Sequence, residues 1–212
     1  SCAFVSVNGA DVGFTQGSHL QAEFDITDFV RDGVNTLRVK VLKWCCGSYL
    51  EDQDFFRFNG IFRDCYLLQR PENHITDVSI STRDSAICVK ADRQADITVF
   101  DLDGACLAFA AAQDDAVIEL GNVVQWNAEK PYLYTVKLER DGEIITQEVG
   151  FRTVTVSDKC ELLINRVPVK LRGVNHHDTD PRNGWCQTNE ELRRDLELLK
   201  KLNINCVRTS HY

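Results

Sequence analysis

The sequence predicts a mainly β protein in three parts: an antiparallel β-sandwich over residues 1–71, an immunoglobulin-like β-sandwich over 72–156, and the first β/α units of a truncated (β/α)8 barrel over 157–212. Three observations carry this reading. Short period-two runs separated by turn signals fill the chain as far as Val156. The pattern then changes to strand, helix, strand, the signature of a parallel β/α unit. Both apolar segments of that unit end in polar clusters, Asn175–Asp180 and Arg208–His211, as strands do at the functional mouth of a parallel barrel.

In the first part, Phe4-Val5-Ser6-Val7 runs into Asn8-Gly9, a dipeptide that supplies the two positive φ angles of a tight hairpin. Glu23-Phe24-Asp25-Ile26 is a second short β-rich run before Asp32-Gly33. Thr36 to Leu42 alternates as a half-buried strand should, and Phe62 to Leu68 reads as a further strand stopped by Arg70-Pro71. The set is expected to be part of a sandwich whose first strands are missing. In the second part, Val78–Ser81, Ala86–Lys90, Asp96–Phe100 and Tyr134–Leu138 are divided by turns that include Asp103-Gly104 and Asp141-Gly142. Short strands at this spacing fit an immunoglobulin-like sandwich, without the Cys-Trp-Cys framework of antibody domains. From Leu162 onward the sequence alternates strand and helix. Thr188-Asn189-Glu190-Glu191 is a capping box, Leu192, Leu196 and Leu199 recur at helical spacing, and Lys200 and Lys201 suit the negative end of the helix dipole.

The composition narrows the function classes. A net charge of −8 without any basic run excludes a nucleic-acid partner. No apolar stretch approaches the roughly 20 residues that cross a bilayer, so no membrane association is expected, and no secretory signal opens the chain. The nine cysteines are odd in number and scattered. Several, including Cys65, Cys88 and Cys206, fall in apolar strand patterns, which fits buried reduced thiols and a cytoplasmic protein. There is no methionine, and a piece of a longer protein is the expectation.

Chemistry-bearing residues gather in three places. Asn175-His176-His177-Asp178-Thr179-Asp180 packs two imidazoles and two carboxylates together. That set suits a metal, a polar ligand or a solvated loop, and its place at a strand end favours a ligand. Arg208-Thr209-Ser210-His211 ends the second strand. Glu51-Asp52-Gln53-Asp54 puts three carboxylates in four residues, flanked by Trp44, Tyr49, Phe55, Phe56 and Phe58. As a bare pattern this is a solvated turn. Hard oxygen ligands beside aromatic faces also suit a cation or sugar hydroxyls.

The run Ser48-Tyr49-Leu50-Glu51-Asp52-Gln53-Asp54, with Gly60-Ile61-Phe62-Arg63-Asp64 behind it, resembles the jelly-roll sugar-binding domain of the bacterial β-galactosidases of glycoside hydrolase family 2. Arg172-Gly173-Val174-Asn175 and the run from Asn205 to Tyr212 resemble the opening barrel strands of that family, and the likeness extends over essentially the whole chain. It implies a C-terminal part of a jelly roll, an immunoglobulin-like sandwich and the start of a TIM barrel, in that order. It further implies a retaining enzyme acting on terminal non-reducing β-D-galactosides, homo-oligomeric at full length. By the same likeness, Asp54 contacts the galactose 6-hydroxyl and a monovalent cation, sodium or potassium. His177 and His211 hydrogen-bond the galactosyl group and stabilise the transition state, and Arg208 orients active-site carboxylates. Cys45-Cys46 and Phe56 depart from the family pattern, where an aspartate precedes the glycine and a tryptophan is common.

Retaining glycosidases need two carboxylic acids about 5 to 5.5 Å apart. In the family both are glutamates of later barrel strands, expected beyond Tyr212 together with the magnesium ligands, so this chain is expected to hold no catalytic residue and to be inactive alone. Glu190, Glu191 and Glu197 belong to the helix and Glu51 to the sandwich loop. Two other readings stand beside the enzyme fragment: a non-catalytic carbohydrate-binding β-sandwich module, and an assembly module whose acidic loop is merely solvated. Coding sequence that continues past Tyr212 through further β/α units separates the first reading from both.

Overall fold

The structure is a computed structural model that describes residues 1–51, 54 and 56–210. It divides into two compact units, Ser1–Tyr66 with Arg172–Tyr212, and Leu67–Leu171.

In the first unit, β1 (Cys2–Val7) lies between β2 (Ala10–Thr15) and β3 (Leu37–Leu42), antiparallel to both. Asn8 and Gly9 carry φ of 52° and 88°, so the predicted two-residue turn is made as the dipeptide demands. Cys2, Val5 and Val7 are buried, and β1 faces β3 in register from Cys2↔Leu42 to Val7↔Leu37. Two expected strands are absent. Residues 23–26 are irregular: Phe24 lies over Gly13, whose missing side chain leaves the space, and Asp25 takes the Thr27 N–H and hydroxyl at 2.9 and 2.6 Å to start a single 3-10 turn, Thr27–Phe29. Residues 62–68 pair with no strand. Phe62 packs instead on the indole of Trp185, 4.8 Å between ring centres.

The second unit is built on one long curled sheet. Strands β4 (Val78–Arg83), β5 (Ala86–Phe100), β6 (Cys106–Glu119), β7 (Tyr134–Arg140) and β8 (Glu143–Val149) are all antiparallel. β6 follows one edge of β5, while the other edge is shared by β4 along its first half and β7 along its second. The β5–β6 register shifts between Lys90 and Ala95, and irregularities of this kind bend a strand. The sheet curls until β4 and β8 adjoin, enclosing Ile75, Ile87, Val89, Ile97, Val99, Val136, Leu138 and Phe151. This is the expected sandwich, with the inward face of each strand apolar.

The strand–helix alternation begins later than the sequence suggests. Leu162 opens a hairpin, in which β9 (Val154–Val156), β10 (Leu162–Ile164) and β11 (Val167–Pro168) form a small antiparallel sheet. Its turn is Asn165-Arg166, both at positive φ, without the Gly that usually announces such a turn. The parallel pair follows in the first unit: β12 (Gly173–His176), helix α1 (Asn189–Lys201) and β13 (Cys206–Thr209). The capping box forms as expected, with Thr188 Oγ1 accepting the Glu191 N–H and Glu191 Oε2 accepting the Thr188 N–H. Burial of the cysteines is less than expected: Cys2 alone is buried, Cys88 and Cys206 are half-buried, and Cys65 is exposed. The runs read as apolar strands are single-sided or irregular at those places.

Candidate functional site

The register of the parallel pair assembles the site. Val174 lies opposite Val207, Asn175 opposite Arg208, and His176 opposite Thr209. Side chains alternate along a strand, and residues paired across strands share a face. Asn175, His177, Arg208 and Ser210 therefore fall on one side of the pair, and Val174, His176, Val207 and Thr209 on the other. The second side meets α1, since His176 Nε2 lies 3.3 Å from Asp195 Oδ2 of the helix. The first side is where a parallel barrel gathers the groups that meet its ligand. Beyond the strand ends, His177 is half-buried with Nδ1 shut off from solvent, and Ser210 is 1% exposed. Arg208 is exposed. His211, the fourth expected contact, lies outside the described residues, as do Asp52, Gln53, Phe55 and Tyr212.

The loop after β12 is tightly braced. His176 Nδ1 lies 3.2 Å from Asp178 Oδ1, so its ring stands between the carboxylates of Asp178 and Asp195. Gln187 Nε2 donates to the same Asp195 oxygen at 2.9 Å. Asp180 Oδ1 accepts the N–H groups of Arg182 and Asn183, which hold its carboxyl below the ordinary range. Asp180 and Gly184 exchange backbone hydrogen bonds of 2.8 and 2.9 Å, closing the loop on itself. The bracing role of His176 was not visible in the sequence, because Asp195 is its partner only once the helix crosses over β12.

Asp54 occupies a separate loop of the same unit. It is exposed and sits at φ 61°, a backbone position that Asp tolerates better than most residues. The loop ahead of it is organised by Ser48, which is buried and whose hydroxyl accepts the Cys45 N–H at 2.9 Å. Hydrogen bonding from the Ser48 hydroxyl holds the Cys45 thiol below its ordinary pKa. Arg57 donates to the Ser48 carbonyl and stacks 4.7 Å from the ring centre of the exposed Trp44. Glu51 is tied to the Ser18 hydroxyl at 2.9 Å, which makes it a brace of the loop. Tyr49 and Phe56 are exposed as well, so aromatic faces do flank Asp54 in sequence and remain open to solvent. Among the described residues no group of three or more His, Cys, Asp or Glu side chains forms a metal-binding cluster, and none of their helices is long and apolar enough to cross a membrane.

Histidines and an arginine at the carboxyl ends of adjacent parallel strands, on a chain that also carries two antiparallel β modules, define the opening of a barrel enzyme preceded by sandwiches. Three models of one family match successive parts of the chain: the sugar-binding domain of glycosyl hydrolases family 2 over residues 1–71, the central domain of glycosyl hydrolases family 2 over 72–152, and the TIM barrel domain of that family over 154–212. The chain belongs to glycoside hydrolase family 2. Along its whole length it is 44% identical to a β-galactosidase of Actinobacillus pleuropneumoniae, and 37% identical to one of Staphylococcus xylosus, covering 22% of each relative. It thus spans under a quarter of the length of these curated relatives. Among solved structures it is similar over its full length to a β-glucuronidase of Ruminococcus gnavus (TM-score 0.83, 22% identity, 42% of that chain) and to one of an uncultured Clostridium species (TM-score 0.81, 25% identity, 40% of that chain).

Proposed function

We propose that this chain is the substrate-contacting part of a retaining β-galactosidase that hydrolyses terminal non-reducing β-D-galactosides. The observation that carries the reading is the whole-length identity to β-galactosidases, 44% and 37%, against 22% and 25% to the β-glucuronidases of similar fold. The strand-end geometry supports it, because His177 and Arg208 share the face on which a barrel receives its substrate.

In this reading His177, and His211 beside it in sequence order on the next strand, donate hydrogen bonds to galactosyl hydroxyls. Those bonds strengthen as the ring flattens toward an oxocarbenium ion, which is how a ground-state contact becomes a rate effect. Arg208 orients the carboxylates that face it. Asp54 accepts from the 6-hydroxyl and holds a sodium or potassium ion. A single exposed carboxylate suits a singly charged ion, whose remaining ligands come from carbonyls, water and the sugar. The bound cation would fix the 6-hydroxyl oxygen electrostatically. The acid/base and nucleophile glutamates, and the magnesium ligands, are supplied by later strands of the intact enzyme. The 212 residues alone carry contacts without the chemical step.

The test compares nitrophenyl β-galactoside with nitrophenyl β-glucuronide on the intact enzyme. His177→Ala and His211→Ala are each expected to lower kcat on the galactoside about 10²-fold, the typical loss of one donor in a dry pocket. Asp54→Ala is expected to raise KM and weaken the dependence on sodium or potassium. A preference for the glucuronide, or unchanged kcat in both histidine variants, removes the reading.

A further inference from the structure

Trp185 and the segment that holds it are absorbed by none of the roles above. Trp185 is 3% exposed, yet it sits in the loop after β12, eight residues past the histidine assigned to the substrate. Its indole is enclosed by residues from the other end of the unit's sequence. His19 meets it at 4.6 Å between ring centres, Phe62 at 4.8 Å and Phe58 at 5.4 Å, the last edge-on at 86°. Its carbonyl oxygen accepts from Arg63 Nη1, and Arg63 stacks 5.2 Å from the Phe62 ring. Next to it, Gly184 has φ +63°, and a Cβ there would meet the Phe58 ring at 3.3 Å. The loop and the aromatic segment are therefore in close contact along two successive residues.

From this seat a short chain of bonds leads to His177. Trp185 is covalently next to Gly184, and Gly184 is doubly hydrogen-bonded to Asp180. The Thr179 N–H, one residue back, donates to the His177 carbonyl at 2.8 Å. Asp178, between them, faces Arg63 Nη2 at 4.0 Å and His176 Nδ1 at 3.2 Å. An exposed ion pair at that distance contributes little by itself. The buried indole and the closed backbone ring are the rigid parts.

We propose that Trp185 is a positioning residue for His177, and that Phe58, Phe62 and Arg63 set the geometry of the barrel-strand end by holding Trp185. The kinetic consequence, though not the positioning itself, rests on His177 being a substrate contact. A catalytic group displaced by about 1 Å can lose on the order of 10²-fold in rate, so a seat this close to the site controls rate without touching substrate.

Two measurements test this. In the 212-residue chain, the imidazole NMR signals of His177, assigned with a His177→Gln variant, are followed in Trp185→Ala, Trp185→Phe and Arg63→Gln. Trp185→Ala and Arg63→Gln are expected to shift or broaden the His177 signals, with Trp185→Phe close to the parent. Arg63→Gln touches only the rim of the seat and is the deciding variant if Trp185→Ala does not fold. Unmoved His177 signals in a folded Arg63→Gln chain overturn the proposal. In the intact enzyme, Arg63→Gln is expected to lower kcat on a β-galactoside about tenfold at little change in KM or melting temperature, with Arg63→Lys restoring most of it. A lowered melting temperature with kcat per folded molecule intact means that Trp185 only packs, and also overturns it. Should the signals move while His177→Ala spares kcat, the positioning stands and the assignment of His177 to the substrate falls.

Discussion

Glu143 and Asp92 show at residue scale what the fold does to ordinary carboxylates. Burial pushes the Glu143 carboxyl up, but the Ile75 N–H at 2.8 Å and the Arg70 guanidinium at 2.7 Å outweigh burial and leave it below its usual value. Its side chain is only 11% exposed. Asp92 accepts the Thr76 hydroxyl and the N–H groups of Asp77 and Thr76, which bring its pKa down to about 2. Both groups bind protons more weakly folded than unfolded, so the stability they add is complete above their unfolded values, 4.5 and 3.8, and is lost as pH falls through the lower folded ones. We expect the melting temperature of the chain to drop steadily between about pH 4.5 and pH 2. Glu143→Gln should cost roughly 1.5–3 kcal/mol at neutral pH, the range for hydrogen bonds to a charged group, and much less at pH 2. Equal losses at both pH values would contradict this. Neither pairing was readable in advance, since Glu143 in a turn beside Gly142 looks like any solvated carboxylate.

Among the elements, α1 was the most legible. Its start needs only Thr188 and Glu191, and its amphipathic spacing is contained within thirteen residues. Thr188→Ala should destabilise the helix by about 1 kcal/mol, visible as faster amide exchange through Glu190–Arg194 with no change in the second unit. The parallel register was legible for a similar reason: each strand is apolar and then polar, and matching the two transitions places Val174 beside Val207, as observed. Phe62–Leu68 had the composition of a strand and is not one. Period-two alternation states which faces a segment would offer, but a strand also needs a hydrogen-bonding partner. Here Phe62 and Arg63 are engaged with Trp185. The Leu162–Pro168 hairpin was missed because Asn165-Arg166 makes its turn without glycine.

The two units should differ in stability when the molecule is taken whole. The curled sheet encloses a continuous core in which Ile87, Ile97, Val99, Val136 and Leu138 have no exposure. The parallel pair has two strands of four residues, and Val207, Leu171, Leu196, Leu198 and Leu202 remain exposed around it. Amide exchange should therefore be slow along Tyr134–Leu138 and fast along Cys206–Thr209. Strong protection of Cys206–Thr209 in a monomer would show that the apolar face needs no further cover. Purified alone, the chain should not turn over a nitrophenyl β-galactoside above a contaminant control, because contacts without an acid and a nucleophile do not supply the chemical step. Measurable turnover by the chain itself would refute that.

What the sequence by itself determined was whatever depends on neighbours a few residues apart. The Asn8-Gly9 turn, the capping box, the alternation of the sandwich strands and the polar ends of β12 and β13 all follow from local sterics and local hydrogen bonding. Motif order carried the family as well. Only the tertiary structure decided that His176 braces while His177 is left for the ligand face, that Glu51 is tied to Ser18, and that Trp185 is locked by Arg63. Arg63 and Trp185 are 122 residues apart. Contacts across such distances leave no period or spacing in the chain, because they arise from the shapes that already folded segments present to one another.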